Sequence, residues 1–232
     1  MDHHTSNPQF IVFPNPPRHH CHHCHTIAYY NPSLNEIVFP AAILQPPFFN
    51  VDAEDAVNYG SIGAVIGHEI GHAFDDSGSQ YDGDGALNSW WTEHDREEFM
   101  KRKDALAVQY NSYEVIDGMT INGNITAGEN IADLSGLTIS HLAYKMLLNG
   151  TESPMIDGWT GDERVFLGYA QVWRSKYTPE SLKVRLANGP HSPAQYRVNG
   201  IVVNVDEFYS TFDVKEGDGM YLSPEDRVKI WS

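Results

Sequence analysis

The stretch that decides the fold is Asp55–Phe74, DAVNYGSIGAVIGHEIGHAF. Ile62, Val65, Ile66 and Ile70 recur at the 3.6-residue period of a helix, and the rest of the segment is mostly small or apolar. It reads as a buried helix rather than a strand. Embedded in it is His68-Glu69-Ile70-Gly71-His72. Positions i and i+4 project from one helix face about one turn apart, so two imidazole nitrogens can reach a single ion at about 2.0–2.1 Å. Glu69 points beside that face, where a general base acting on a metal-bound water has to sit. Desolvating three ionisable groups is costly unless they are paired or coordinated, which weighs against histidines that merely fill a core.

A catalytic zinc needs a third protein ligand and one open position. The metzincin pattern would put glycine at position 75 and histidine at 78; Asp75 and Gly78 exclude it. The next candidate lies in GENIADLSG (Gly128–Gly136), where Glu129 and Asp133 share one face of an apolar helix. That spacing suits Glu129 as a ligand and Asp133 as acceptor of a ligand histidine's Nδ1–H. Asp75 reads either as a carboxylate supporting the metal helix or as part of the turn that ends it. Asp82-Gly83-Asp84-Gly85 is similar to the start of a calcium loop, but Ala86 stands at the next ligand position, so a tight turn explains it better.

The 232 residues are 41% hydrophobic and 20% charged, enough for one substantial core. With 15 Lys and Arg against 31 Asp and Glu the net charge is −16, a field that repels polyanions and excludes nucleic acid as a partner. No apolar run approaches the roughly 18 residues of a membrane span, and the N-terminus has no apolar core of a secretory leader. Both cysteines, Cys21 and Cys24, lie in the first 25 residues with seven of the 12 histidines. HHCHHCH (His19–His25) has ligand types for zinc, copper or nickel but no second pair at a loop-closing distance. Residues 1–26 therefore read as an unstructured His/Cys-rich tail.

In the body, Ile27–Tyr30 and Glu36–Phe39 are β-prone and are separated by the turn sequence Asn31-Pro32-Ser33. Besides Asp55–Phe74, helices are expected from Glu93 to about Tyr110 with Thr92 as cap, over Glu129–Leu148, over about Asp162–Tyr177 and Pro179–Leu186, and over Val205–Phe212. The class expected is mainly α with a small β component.

Five blocks then point to a family. HEIGHAFDDSG (His68–Gly78), GENIADLSGL (Gly128–Leu137), NEIVFPAAILQPPFF (Asn35–Phe49), YAQVWR (Tyr169–Arg174) and HSPAQYRVNG (His191–Gly200) together resemble the neprilysin family of zinc metallopeptidases, from about residue 28 to the C-terminus. The resemblance implies a thermolysin-like zincin catalytic domain over residues 27–232, one zinc ion, and small peptides as partners cleaved on the amino side of hydrophobic residues. It makes His68, His72 and Glu129 the zinc ligands, Glu69 the general base and Asp133 the supporting aspartate. It makes His191 the donor to the oxyanion and Arg197 the hold on a substrate carbonyl. Phe48, Val65, Val172 and Trp173, with Ile43 beside them, match an apolar pocket for the side chain after the scissile bond. Ala28-Tyr29-Tyr30 matches an edge strand on which substrate adds. An extracytoplasmic location is also implied.

Three departures stand against that pattern. Ile27 replaces an asparagine that grips the substrate backbone, and Gly189 replaces an aspartate that could orient Arg197. The family's large N-terminal helical domain, which roofs the site, has no match in residues 1–26. A second expectation thus stays open, that of a zinc-binding fragment of such a peptidase with impaired catalysis. Asn124-Ile125-Thr126 and Asn149-Gly150-Thr151 are glycosylation sequons.

Overall fold

In the computed structural model, which describes residues 9–11 and 27–231, a small sheet precedes the helices. It comprises β1 (Gln9–Ile11), β2 (Tyr29–Asn31) and β3 (Glu36–Val38) in the order β1-β3-β2. β2 is antiparallel to β3 with Tyr30 opposite Ile37, as their shared turn requires, and β1 is parallel to β3. Gln9–Ile11, assigned above to an unstructured tail, is therefore a strand. The His/Cys run lies outside the described residues. Ile37 is fully buried and joins Ala28, Phe39, Ile43 and Val65 in a cluster that seats the sheet on the metal helix. The outer edge of β2 is unpaired among the described residues.

The decisive stretch is helical in three parts: α1 (Asp55–Asn58), a π turn over Tyr59–Gly63, and α2 (Ala64–Gly71). It ends short of Phe74, because Ala73 and Phe74 donate to the carbonyls of Ile70 and Gly71 and tighten into turns. α3 (Glu93–Asn111) begins as expected, with Thr92 accepting from the Asp95 amide. β4 (Glu114–Ile116) and β5 (Met119–Thr120) form a hairpin that the sequence reading missed. Asp117 and Gly118 between them, with φ of 50° and 75°, have the chemistry of a two-residue turn. α4 (Ala127–Leu148) closes on Asn149 in the left-handed conformation. α5 (Gly161–Val172) stops before the expected Tyr177, where Trp173 leaves helical geometry with ψ of 3°. α6 (Pro179–Asn188), an unforeseen α7 (Ala194–Val202) and α8 (Asp206–Phe212) are the remaining described helices. The fold is mainly α with a small β component, and none of the described helices is long and apolar enough to cross a membrane.

Two glycines set the spacing that builds the site. A Cβ at Gly67 would stand 2.8 Å from the Gly136 Cα, and one at Gly136 would lie 2.7 Å from the His68 amide nitrogen and overlap the Ala64 carbonyl. α2 and α4 consequently lie almost backbone to backbone. The opposite side of α4 presents Ile131 and Leu137 to a core shared with Leu106, Tyr110 and Ile201. Held from both sides, α4 can point Glu129 and Asp133, one turn apart, at the histidines of α2.

Candidate metal centre

His68 gives its Nδ1–H to Asp133 Oδ1 at 2.8 Å, and His72 gives its own to Asp75 Oδ2 at 2.7 Å. A carboxylate can only accept, so in each neutral ring the proton sits on Nδ1 and Nε2 offers a lone pair. The two Nε2 atoms converge on Glu129, lying 3.3 Å (His68) and 3.8 Å (His72) from its Oε2 and Oε1 respectively. His191 approaches Glu129 Oε1 through Nε2 at 3.1 Å. Potential ligand atoms of His68, Glu69 and His72 also fall within 4.8 Å of one another. The buried Oε2 atoms of Glu69 and Glu129 have no geometrically formed hydrogen bond among the described residues, the His68 Nε2 lying 3.3 Å from that of Glu129.

Two imidazole lone pairs facing a carboxylate repel one another unless positive charge lies between them. Two nitrogens and one oxygen, with room for a fourth group, is a donor set that fits zinc. The electrostatics express the same demand. Burial alone would depress His68, but the charge and hydrogen bond of Asp133, with Glu129 adding, push it up to about 9. Burial would raise Glu129, yet the imidazoles of His191 and His68 and the charge of Arg197 hold its carboxyl far below the usual range. For Glu69 burial wins over the opposing His68 and His72, and its carboxyl is raised.

Asp133 is itself clamped. Arg197 donates from Nε to Oδ2 and from Nη2 to Oδ1, both at 2.7 Å. Its guanidinium carbon lies 3.8 Å from the centroid of the Trp173 ring. Both members of the ion pair are buried, so Arg197 is no surface charge. Arg197 is thus oriented by Asp133, with Gly189 standing where the resemblance expects an aspartate. Asp75 is held differently, its Oδ1 accepting from the amides of Ser77 and Gly78 at 2.8 and 2.7 Å. A further tie went unforeseen: Ser192 donates to Asn130 Oδ1 at 2.8 Å, fastening the His191 loop to α4 beside Glu129.

A cleft of about 900 Å³ opens over these groups. It brings together the residues expected to form the zinc site and its surroundings: His68, Glu69, His72 and Glu129, then Asp75 and Asp133, and His191 with Arg197. Ala28, Ile43, Phe48, Val65, Val172 and Trp173 line it as well. Tyr177 and Arg185, which also line it, carried no signal in the sequence, since an arginine on an amphipathic helix reads as solvated surface. The Asp82 loop is a plain turn, its carboxylate accepting from the amides of Asp84 and Ala86 and from Asn88.

The model of Peptidase family M13 matches residues 27–228. Endothelin-converting enzyme 1 of Rattus norvegicus is 45% identical over 208 residues, 88% of this chain and 27% of that enzyme. The neutral endopeptidase of Lactococcus lactis is 42% identical over 205 residues, 88% of this chain and 31% of its own length. The crystal structure of the zinc metalloprotease Zmp1 of Mycobacterium tuberculosis with an inhibitor superposes with a TM-score of 0.88 at 55% identity, over 89% of this chain and 32% of that one. PepO of Lactobacillus rhamnosis gives 0.79 at 38% identity, over 89% and 31%. The chain thus spans about a third or less of the length of these relatives.

Proposed function

The chain belongs to peptidase family M13, and from that premise we propose that it is a zinc-dependent endopeptidase whose catalytic unit is residues 27–232. The observation that carries the reading is the convergence of two Nε2 lone pairs and the Glu129 carboxylate beside a buried, unpartnered Glu69 oxygen. Held by His68, His72 and Glu129, zinc would act as a Lewis acid toward the peptide carbonyl and make water a nucleophile at neutral pH. Glu69, one residue from His68, takes the proton of the attacking water and returns it to the leaving amine. A carboxyl raised by burial suits both halves of that task. His191, the most exposed member, donates a hydrogen bond to the oxyanion that develops, and Arg197 holds a substrate carbonyl with guanidinium donors not given to Asp133.

An extended peptide adds to the free edge of β2, while Phe48, Val65 and Val172 take the side chain that follows the scissile bond. Cleavage on the amino side of hydrophobic residues follows from that apolar wall. Ile27 cannot grip the substrate with a side-chain amide, so pairing relies on the strand backbone. Family resemblance supports an extracytoplasmic location for the protein.

The test combines zinc analysis with hydrolysis of a quenched peptide bearing a hydrophobic residue after the scissile bond. Glu69→Gln is expected to retain zinc and lose turnover by at least about 100-fold. Glu129→Ala is expected to lose zinc with its circular dichroism unchanged. Bound zinc with equal, background turnover in wild type and Glu69→Gln would leave a zinc-binding module with impaired catalysis.

A further inference from the structure

Arg185 and Arg197 are the only lysine or arginine side chains that line the cleft among the described residues, and they are in opposite situations. Arg197 is committed to Asp133. Arg185, in the last turn of α6, forms no ion pair among the described residues, and its Nε is buried without a hydrogen-bond partner among them. Its guanidinium carbon lies 5.0 Å from the centroid of the Tyr177 ring, a contact that steadies the group over the ring and leaves its edge donors free. A buried donor without an acceptor is unfavourable until a ligand supplies one. In a chain of net charge −16, an unpaired cation in the substrate cleft is a local exception to the overall field.

We propose that Arg185 selects peptides that carry a carboxylate on the carboxy-terminal side of the scissile bond. The assignment rests on the peptidase reading above. Tyr177 and Arg185 line the same cleft as Val172 and Trp173, which the reading above assigns to the side chain after the scissile bond, and on that ground the carboxylate is assigned to the same side. The two oxygens of a carboxylate match the paired donors on a guanidinium edge, and a peptide can supply them from an aspartate or glutamate side chain or from its C-terminus.

The experiment uses the full chain and fluorescent peptides whose scissile bond is reduced and cannot be hydrolysed. They carry Glu or Gln two residues after that bond, each with a free or an amidated C-terminus, and binding is read by anisotropy. Wild type is expected to bind one acidic form about tenfold tighter than its neutral counterpart, the scale of one charge-assisted hydrogen bond. The Glu/Gln arm and the acid/amide arm identify which carboxylate is read. The ratio is expected to fall to about one in Arg185→Ala and to survive in part in Arg185→Lys, with circular dichroism confirming the fold of both. A ratio of one in wild type, or an undiminished ratio in Arg185→Ala, would overturn the assignment. Cleavable versions, with Glu69→Gln as blank, separate the two claims. Hydrolysis without acid preference sinks the role of Arg185 alone, whereas acid-selective binding without hydrolysis sinks the peptidase reading alone.

Discussion

His68 and His72 each hand an Nδ1–H to an aspartate, at 2.8 and 2.7 Å, but the aspartates are held by different means. Asp133 comes from α4, is clamped by Arg197 of α7, and lies in a buried network that ends on the Trp173 ring. Asp75 lies three residues beyond His72 and is fixed by two amides of its own turn. The inner half of the centre is assembled by the whole fold, and the outer half by a local turn. Equal first contacts therefore hide unequal dependence on tertiary structure: the metal centre should be coupled to global stability through His68 and hardly at all through His72.

The largest effect tests that coupling directly. Asp133→Ala strands a buried guanidinium and is expected to cost about 3–5 kcal/mol in denaturant unfolding, together with zinc retention. A loss no greater than that of Asp75→Ala would break the distinction between the two halves. Next comes the spacing of the helices. Gly136→Ala pushes a methyl group against the Ala64 carbonyl and the His68 amide, and about 1–3 kcal/mol of overpacking is expected as α4 moves off α2. Because that movement carries Glu129 and Asp133 away from the histidines, zinc affinity should fall too; an unchanged affinity would show that the approach of the helices does not position the ligands. Asp75→Ala sharpens the contrast from the other side. It should weaken zinc by about 10–100-fold, as loss of a ligand-orienting carboxylate does, with only about 1 kcal/mol off global stability. Equilibrium dialysis and a denaturation midpoint on the same variant separate the two quantities.

Local patterns were legible in the sequence, and partnerships across the fold were not. The i, i+4 spacing of His68 and His72, and of Glu129 and Asp133, follows from helix geometry alone, and so did the elements that carry them. α7 was not among the helices expected, and it holds an interior glycine, Gly200, a residue unfavourable inside a helix. In the fold a Cβ at position 200 would come within 2.7 Å of the Tyr110 hydroxyl, so glycine there admits an aromatic ring rather than ending a helix. The clamp of Arg197 on Asp133 joins residues 64 apart, and no period or spacing announces such a pair. The β4–β5 hairpin is a different kind of omission, since Asp117-Gly118 is ordinary turn chemistry with a strand residue on either side. Arg185 had no signal at all, because an arginine on an amphipathic helix reads as solvated surface, and only the fold shows its Nε buried without a partner among the described residues.

A second carboxylate–cation pair, neither member of which lines the cleft, supplies the smallest expected effect and a control for the two aspartates. Arg164 of α5 donates from Nε and Nη2 to the two oxygens of Glu54 at 2.9 and 3.0 Å and also reaches the Trp159 carbonyl. Glu54 immediately precedes α1, so the pair pins the start of the α1–π–α2 stretch to α5. Burial pushes the Glu54 carboxyl up, but the hydrogen bond and charge of Arg164 and the amides of Ala56 and Val57 hold it below its ordinary value. A carboxyl depressed on folding contributes stability that is fully present above its unfolded value, about 4.3, and is lost as pH falls through the lower folded value. Glu54→Gln should therefore be about 1 kcal/mol less stable than wild type at neutral pH, with the gap closing in acid as the wild-type carboxyl takes up its proton. Zinc affinity should not move. A gap independent of pH would show that the pair contributes through shape and not charge, and a fall in zinc affinity would mean that the far end of the metal helix is coupled to the centre as tightly as Asp133 is.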